Sequence, residues 1–415
     1  MKNKITVESI NVEKYKITCC YQVEGPWKDV FKEKTSMTVE YSVDVSAVPQ
    51  GIAVVPFLAN LLPMAWVYDA EIEVPACDKA FYDSISQFKK GYQDMYPMMA
   101  LRGTLTVGKL EENIPATEGR SGAFFSGGVD AFNTLVCHAA EKPVLLTLWG
   151  ADVKLSDEKG WQNVLSHLQD TSRQFGIDYM TIKSEFRIFQ EEGLLTEAVK
   201  QSGDGWWHGF QHGIGIICHA APAAWVLGLS TVYFASSFTA ADKGKVTCAS
   251  DPTIDNFVRF GGTRIVHDGY EFTRQMKVHN ITQFAKKTGM KIPLRVCWES
   301  TGGSNCCHCE KCWRTMLAVY AENQNPREYG FEYTDKQLAE VARIMRYSDD
   351  KMFSALRYAP IQQAMQKNCQ KQELPKQIRW FYDASMDNLG HAPLWRKCAR
   401  KVKRVLKRCI KRVRN

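Results

Sequence analysis

The chain has 415 residues, of which 45% are hydrophobic and 11% aromatic, a composition typical of a globular protein with a core and unlike a long disordered chain. The formal net charge is +8, but residues 396–415 hold eleven Lys and Arg and no acid, so the rest of the chain is slightly acidic. The N-terminus lacks the apolar segment of a secretory signal, and the longest apolar run, from Gly51, is broken by two prolines, which argues against a membrane span. We therefore predict a cytoplasmic protein whose cysteines are mostly reduced or metal-bound.

Residues 1–115 have the alternation of apolar and polar residues that is typical of strands. Strands are predicted in KITVESINVEKYKITCCYQV, EKTSMTVEYSVDV, AWVYDAEIEV and LRGTLTVGKL, and a helix in KAFYDSISQFKKGYQDMYP. We interpret this region as a strand-rich α+β domain without a chemical motif.

Residues 120–325 alternate strands with helices. The apolar strands PVLLTLWG, DYMTIKS and STVYFASS are separated by helical patterns such as WQNVLSHLQDTSRQFG. This order predicts an α/β domain with a parallel sheet covered by helices on both faces. Residues 326–395 are predicted to be helical.

Residues 396–415 are predicted to form a basic amphipathic tail helix, because apolar residues recur there every three or four positions. Such a helix suits an anionic membrane surface or nucleic acid. A helix packed on the domain with a solvated basic face is the alternative. If the tail helix binds an anionic membrane, the predicted cytoplasmic protein would lie peripherally at the inner membrane surface.

The first strand-to-helix turn of the α/β region reads Ser126-Gly127-Gly128-Val129-Asp130. Two glycines allow the backbone to approach an anion, and a helix N-terminus offers amides to it. The turn has neither the lysine of a P-loop nor the spacing of GxGxxG. Asp130 would cap the helix, support Mg²⁺ or meet a cationic group. A plain helix-entry turn remains the alternative.

Four cysteines, Cys297, Cys306, Cys309 and Cys312, have the spacing of a metal site, C-x8-C-x2-C-x2-C. Four thiolates favour zinc, and an iron–sulfur cluster less so. Cys307 or His308 could replace a neighbouring ligand, but Cys306 keeps two residues between each of the last three ligands. Four free cysteines in a loop are the remaining alternative.

Three histidines surround a glycine-rich stretch, and three further residues follow the strand STVYFASS. One of the histidines could face substrate, although packed or surface roles are commoner. Cys248 is a weak candidate nucleophile, and the two aspartates either face substrate or cap a helix. These residues are His208, His212, His219, Cys248, Asp251 and Asp255.

The segment SGGVD resembles the SGGxDS loop of the PP-loop ATP pyrophosphatase (adenine nucleotide α-hydrolase-like) superfamily. Within it, the cysteine spacing resembles that of 7-cyano-7-deazaguanine synthase and its relatives. Thr273 and Arg274 stand where that family has a Ser/Thr-Lys pair. The chain departs from the family's SGGxDS loop at Ala131, which stands in place of the final serine. It departs from the family's cysteine motif at Cys307, which stands in place of a glycine.

The resemblance implies a Rossmann-like PP-loop fold and an ATP-dependent ligase that adenylates a carboxylate or amide before a nitrogen nucleophile attacks. It implies that ATP and a small-molecule or biopolymer-linked acid are the substrates, with Mg²⁺ and a structural Zn²⁺. The implied ATP-binding residues are Ser126, Gly127, Gly128, Val129, Asp130, Trp149 and Gly150, and the implied catalytic residues are Asp130 and Arg274. An ATP-dependent tRNA sulfurtransferase and a non-catalytic nucleotide-binding module are the alternatives.

Overall fold

The computed structural model describes residues 2–114, 119–297, 299, 303–347 and 352–391. The chain forms two compact units: the described residues up to Thr273, together with Gly303, form the first, and the other described residues from Arg274 onward form the second. The predicted basic tail lies outside the described residues.

The first unit contains one eleven-stranded sheet in the order β10-β11-β9-β6-β7-β8-β3-β2-β1-β4-β5. Its strands are β1 (Lys4–Val12), β2 (Lys16–Glu24), β3 (Ser36–Tyr41), β4 (Glu71–Asp78), β5 (Thr104–Glu111), β6 (Arg120–Phe124), β7 (Val144–Trp149), β8 (Tyr179–Ser184), β9 (Leu229–Ala235), β10 (Arg259–Phe260) and β11 (Thr263–Asp268).

The five strands β8-β7-β6-β9-β11 are mutually parallel, as the alternation of strands and helices predicts. The chain enters this part of the sheet at its central strand, β6, continues outward through β7 and β8, and then returns to β9 on the other side of β6. In doubly wound sheets the ligand crevice lies beyond the carboxyl ends of the strands at such a reversal, which here are the ends of β6 and β9.

The sheet continues without interruption from the α/β region into the N-terminal strands, because β3 pairs antiparallel with β8. The sequence instead predicts separate domains at residues 1–115 and 120–325. The alternation of apolar and polar residues indicates that a strand is half-buried, but it does not indicate which strand it pairs with. Here Val39 of β3 pairs with Ser184 of β8, which is distant in the chain. The second predicted boundary, at 325, also differs from the observed division at Thr273.

The helices of the first unit flank this sheet. α4 contacts β6 and β9, α5 contacts β7 and β8, and α8 contacts β9 and β11. The helices are α1 (Gln50–Ala53), α2 (Val55–Tyr68), α3 (Lys79–Met95), α4 (Val129–Cys137), α5 (Glu158–Phe175), α6 (Glu192–Ala198), α7 (Ile214–Ile217), α8 (Ala220–Leu227) and α9 (Pro252–Asp255).

The apolar run from Gly51 forms α1 and α2, and twelve residues of α2 are buried in the core. A helix that is apolar all round belongs in a protein interior. Residues 65–68, which the sequence analysis included in a strand, end this helix, and the strand begins only at Glu71. Among the described residues, no helix combines the length and hydropathy needed to span a membrane.

The second unit is helical among its described residues and carries the cysteine cluster at the start of α11. Its helices are α10 (Arg274–Thr288), α11 (Glu310–Tyr320), α12 (Asp335–Tyr347), α13 (Ala355–Asn368) and α14 (Arg379–Tyr382). The helical prediction for residues 326–395 agrees with α12, α13 and α14.

Candidate functional site

The loop of Ser126, Gly127 and Gly128 joins β6 to α4 at the crevice between β6 and β9. Gly127 has φ of +76°, a conformation that residues with a side chain adopt only with strain. Gly128 is the N-cap of α4 and has no side chain that could cap the helix. The first amides of α4 lie at the positive end of the helix dipole, a few residues beyond the carboxyl end of β6.

The base of this loop is held by neighbouring strands. The Phe125 amide donates to the Leu146 carbonyl at 2.8 Å, and the Thr147 hydroxyl donates to the Phe125 carbonyl at 2.8 Å. Phe125 also packs edge-to-face on Phe132 of α4, with ring centroids 4.9 Å apart. These contacts fix the position and the direction of the loop at the end of β6.

Two polar side chains, Ser126 and Asp130, lie in the loop and in the first turn of α4. Ser126 is exposed, and its hydroxyl oxygen accepts a hydrogen bond from the Gly128 amide at 3.4 Å. Asp130 is half-buried in the first turn of α4. Ala131, in contrast, is only 5% exposed and belongs to the packed side of the helix.

The turn after β7 is shaped by Gly150, which has φ of +109°. A Cβ atom at this position would lie 2.2 Å from the Ser184 carbonyl oxygen, so only glycine lets the turn approach the end of β8. Trp149 stacks on Trp161 with centroids 5.0 Å apart, and the Lys183 ammonium lies 5.5 Å from its ring centroid. These contacts occupy the Trp149 ring, and its predicted contact with adenosine stays a prediction.

The far end of α4 is tied to the sheet by a charged network. Asp268, the last residue of β11, accepts from the Thr134 hydroxyl at 2.6 Å and from His138 Nε2 at 2.9 Å. Glu141 lies 2.7 Å from His138 Nδ1. The hydrogen bond to Asp268, followed by the one to Glu141, outweighs burial and raises the pKa of His138 to about 9. The helix that presents the loop is thus clamped at its other end.

The three histidines singled out by the sequence have different surroundings. His219 is buried and bonded to Ser184 Oγ at 2.7 Å, and burial lowers its pKa to about 4. His212 is half-buried against Phe234 of β9. His208 is partly exposed and bonded to Asp204 at 3.0 Å. Asp204 is not among the residues predicted from the sequence, although its spacing of four residues from His208 is a helical signal.

The remaining polar candidates of the first unit have structural partners. Asp251 caps α9 by accepting from the Thr253 amide at 2.8 Å. Asp255 is buried and bonded to His267 and Ser250, at 2.8 and 2.7 Å. Cys248 is buried, which raises the pKa of its thiol to about 12. This thiol is therefore protonated at neutral pH and a poor nucleophile.

Arg274 begins α10 and belongs to the second unit. Its guanidinium donates to the Thr315 hydroxyl of α11 at 3.1 Å. Its predicted role at phosphate stays a prediction.

The four predicted cysteine ligands come together in the second unit. All four sulfur atoms lie within 4.8 Å of one another. Cys297 and Cys309 are 3.8 Å apart and Cys306 and Cys312 are 3.9 Å apart, measured between sulfurs. Four sulfurs bound at about 2.3 Å to one tetrahedral zinc are about 3.8 Å apart. The cluster therefore fits the geometry of a zinc site.

Backbone groups support the cluster in the way that metal-bound thiolates require. The Cys309 amide donates to Cys306 Sγ at 3.3 Å and the Cys312 amide to Cys309 Sγ at 3.5 Å. The hydrogen bond between the two thiols lowers the pKa of Cys309 and raises the pKa of Cys312. A thiolate at the N-terminus of α11 is also favoured by the helix dipole.

Asn305 organises the segment that carries the four cysteines, the cysteine knuckle, and it is not among the residues predicted from the sequence. Its amide group accepts from the Val296 amide at 2.9 Å and donates to the Leu294 and Gly330 carbonyls at 2.7 and 2.8 Å. Cys307 follows the first ligand of the turn with φ of +56°, the conformation that glycine adopts most easily. A second possible ligand group, Glu299, Cys306 and His308, is more exposed.

No protein-family model, curated protein or solved structure matches this chain.

Proposed function

We propose that the protein is an ATP-dependent ligase that transfers AMP from ATP to a carboxylate or amide oxygen of its substrate. A nitrogen nucleophile then displaces AMP. The observation that carries this proposal is the Ser126–Gly128 loop, which presents the amides of α4 at the crevice beyond β6 and β9.

The arrangement of the five parallel strands supports a nucleotide at this crevice. Their order has the central entry strand and the reversal of doubly wound nucleotide-binding sheets, in which ligands bind outside the carboxyl ends at the reversal. We assign the finer fold type, a Rossmann-like PP-loop domain, on this order together with the position of the loop.

The proposed chemistry needs charge stabilisation rather than a strong acid or base. Negative charge grows on the pyrophosphate as it leaves, and amides already oriented by α4 and the Ser126 hydroxyl can stabilise it. Mg²⁺, when bound, would neutralise part of the phosphate charge, and Asp130, in the first turn of α4, is the carboxylate suited to support it.

The combination of the loop with the cysteine knuckle favours a ligase resembling 7-cyano-7-deazaguanine synthase over other users of ATP. We assign the zinc a structural role, because four thiolates leave no open position for a substrate. The thiol of Cys248 counts against the sulfurtransferase alternative, since burial keeps it protonated. The departure at Ala131 leaves non-catalytic nucleotide binding as an outcome of the test.

The test is release of pyrophosphate and AMP from Mg²⁺·ATP by the full chain, with ammonia and a panel of carboxylic acids and cell extract. We expect Ser126→Ala to lower the rate of pyrophosphate release and Asp130→Ala to abolish it, because both residues lie where the phosphates are proposed to bind. Ser166→Ala and Asp170→Ala alter exposed residues of α5 and should leave the rate unchanged. ATP binding without cleavage under every condition would instead support the binding-module alternative.

A further inference from the structure

A five-residue π-helix, Trp207–Gln211, lies beside the end of β9 and carries His208. Short π-helical turns are rare and occur often at functional sites. The side chain of His208 is 45% exposed, and its ring lies 6.1 Å from the ring of Phe238. Phe238 follows the last residue of β9 by three positions, so this histidine lies at the carboxyl edge of the sheet where the proposed nucleotide crevice opens.

His208 is oriented by Asp204 in the manner of a catalytic histidine. Its Nδ1 lies 3.0 Å from Asp204 Oδ1. The other carboxylate oxygen, Oδ2, accepts from the Tyr96 hydroxyl at 2.8 Å and from the Thr247 hydroxyl. With both oxygens occupied, Asp204 is fixed, and it selects the tautomer that carries its proton on Nδ1. Nε2 is then left as the accepting nitrogen on the exposed imidazole.

The surroundings of the pair are rigid. Gly209 permits the contact between Tyr96 and Asp204, because a Cβ atom there would lie 2.7 Å from the Tyr96 hydroxyl oxygen. The Phe210 ring stacks on Tyr96 at 4.8 Å and on Trp206 at 5.6 Å. The His208 carbonyl accepts from the Ala249 amide at 2.8 Å. A base on such a support is held in place without help from substrate.

We propose that His208 is the general base of the transfer half-reaction, with Asp204 as its positioning residue. The inference rests on the proposed function. As the nitrogen nucleophile attacks the adenylated carbon, the new C–N bond forms and the C–O bond to AMP breaks, with the electron pair leaving on AMP. His208 Nε2 accepts the proton that the nitrogen loses and passes it to solvent.

The test separates the two half-reactions in the full chain. ATP–pyrophosphate exchange, measured with the acid that gives the highest rate in the panel, reports adenylation, and amide formation from ammonia reports transfer. We expect His208→Gln to keep the exchange rate and to slow amide formation by about 100-fold or more, the usual contribution of a general base. Hydroxylamine, which attacks adenylates without a base, should still give hydroxamate with this variant.

Two further variants distinguish catalysis from structural support. His208→Gly should recover amide formation when imidazole is added, and Asp204→Asn should slow transfer less than His208→Gln does. His279, which pairs with Glu322 at 2.8 Å in the second unit, supplies the matched control, and His279→Gln should leave both rates unchanged. Amide formation at the normal rate in His208→Gln would overturn the inference. Absence of exchange in the unaltered protein would overturn the proposed function, and this inference with it.

Discussion

The SGG loop of the first unit and the cysteine knuckle of the second are both candidate ligand sites, but they depend on different parts of the chain. The loop offers backbone amides, and its position follows from strands that are distant in sequence, such as β6 and β9. The knuckle offers four side-chain thiols within one short stretch, held by local hydrogen bonds. A site made of side chains is therefore disrupted when one metal-binding residue is replaced, whereas a site made of backbone amides is disrupted when a larger side chain distorts the backbone.

The largest effect should follow from breaking the knuckle with Cys306→Ser. Binding of structural zinc supplies about 10–16 kcal/mol to small zinc domains, so loss of one thiolate should release the metal and destabilise the second unit. Zinc content per chain and thermal unfolding would measure both effects.

The neighbouring cysteine gives the matched control for this variant. Cys307→Ser should keep one zinc per chain, because its sulfur is not among the four clustered ones. Equal zinc content in Cys306→Ser and the unaltered protein would contradict the ligand assignment.

The corresponding variant in the part of the first unit that is shaped by the backbone is Gly150→Ala, in the turn after β7. Positive φ and a Cβ contact of 2.2 Å with the Ser184 carbonyl oxygen together should lower the free energy of unfolding by about 2–5 kcal/mol. Denaturant unfolding would measure it. Gly193→Ala, in α6 with open space around the position, should instead raise the free energy of unfolding by about 0.5–1 kcal/mol. A smaller loss for Gly150→Ala than about 1 kcal/mol would show that the turn can move.

A pH effect should come from the clamp at the end of α4. The pKa of His138 is raised to about 9, first by Asp268, from an ordinary value of 6.5. The stability it contributes is therefore complete below about pH 6.5 and is lost as the pH rises through about 9. Because the imidazole is partly exposed, we expect about 1–2 kcal/mol. His138→Gln should remove this difference in unfolding free energy between pH 6 and 10, and an unchanged pH dependence would contradict the assignment.

The smallest effect should come from Cys307→Gly. Glycine relieves about 1–2 kcal/mol of strain at φ of +56°, but it gives up a buried side chain and adds freedom to the unfolded chain. We expect the free energy of unfolding to change by less than about 1 kcal/mol, with zinc content unchanged. A loss of zinc in this variant would indicate that Cys307 takes part in binding.

Local patterns predicted several elements well, and their failures have physical causes. The helical period of WQNVLSHLQDTSRQFG corresponds to α5, and the apolar run PVLLTLWG to β7. The strand β11 was missed because TRIVHD carries charged and polar residues that pair with neighbours outside the local sequence, such as Asp268 with His138. Asn305 was missed for a similar reason: it is an ordinary polar residue until its partners are known.

The sequence by itself determined the elements that depend on near neighbours: the cysteine spacing, the glycines before α4, and the alternation of strands and helices. The tertiary structure alone decided that β3 joins β8 into one sheet, that the loop opens at the reversal between β6 and β9, and that Asp204 holds His208. The sheet and the loop position depend on strands brought together over long distances in the chain, and the Asp204–His208 pair depends on Tyr96 and Thr247, which fix the Asp204 carboxylate. Local propensity and spacing do not encode these contacts.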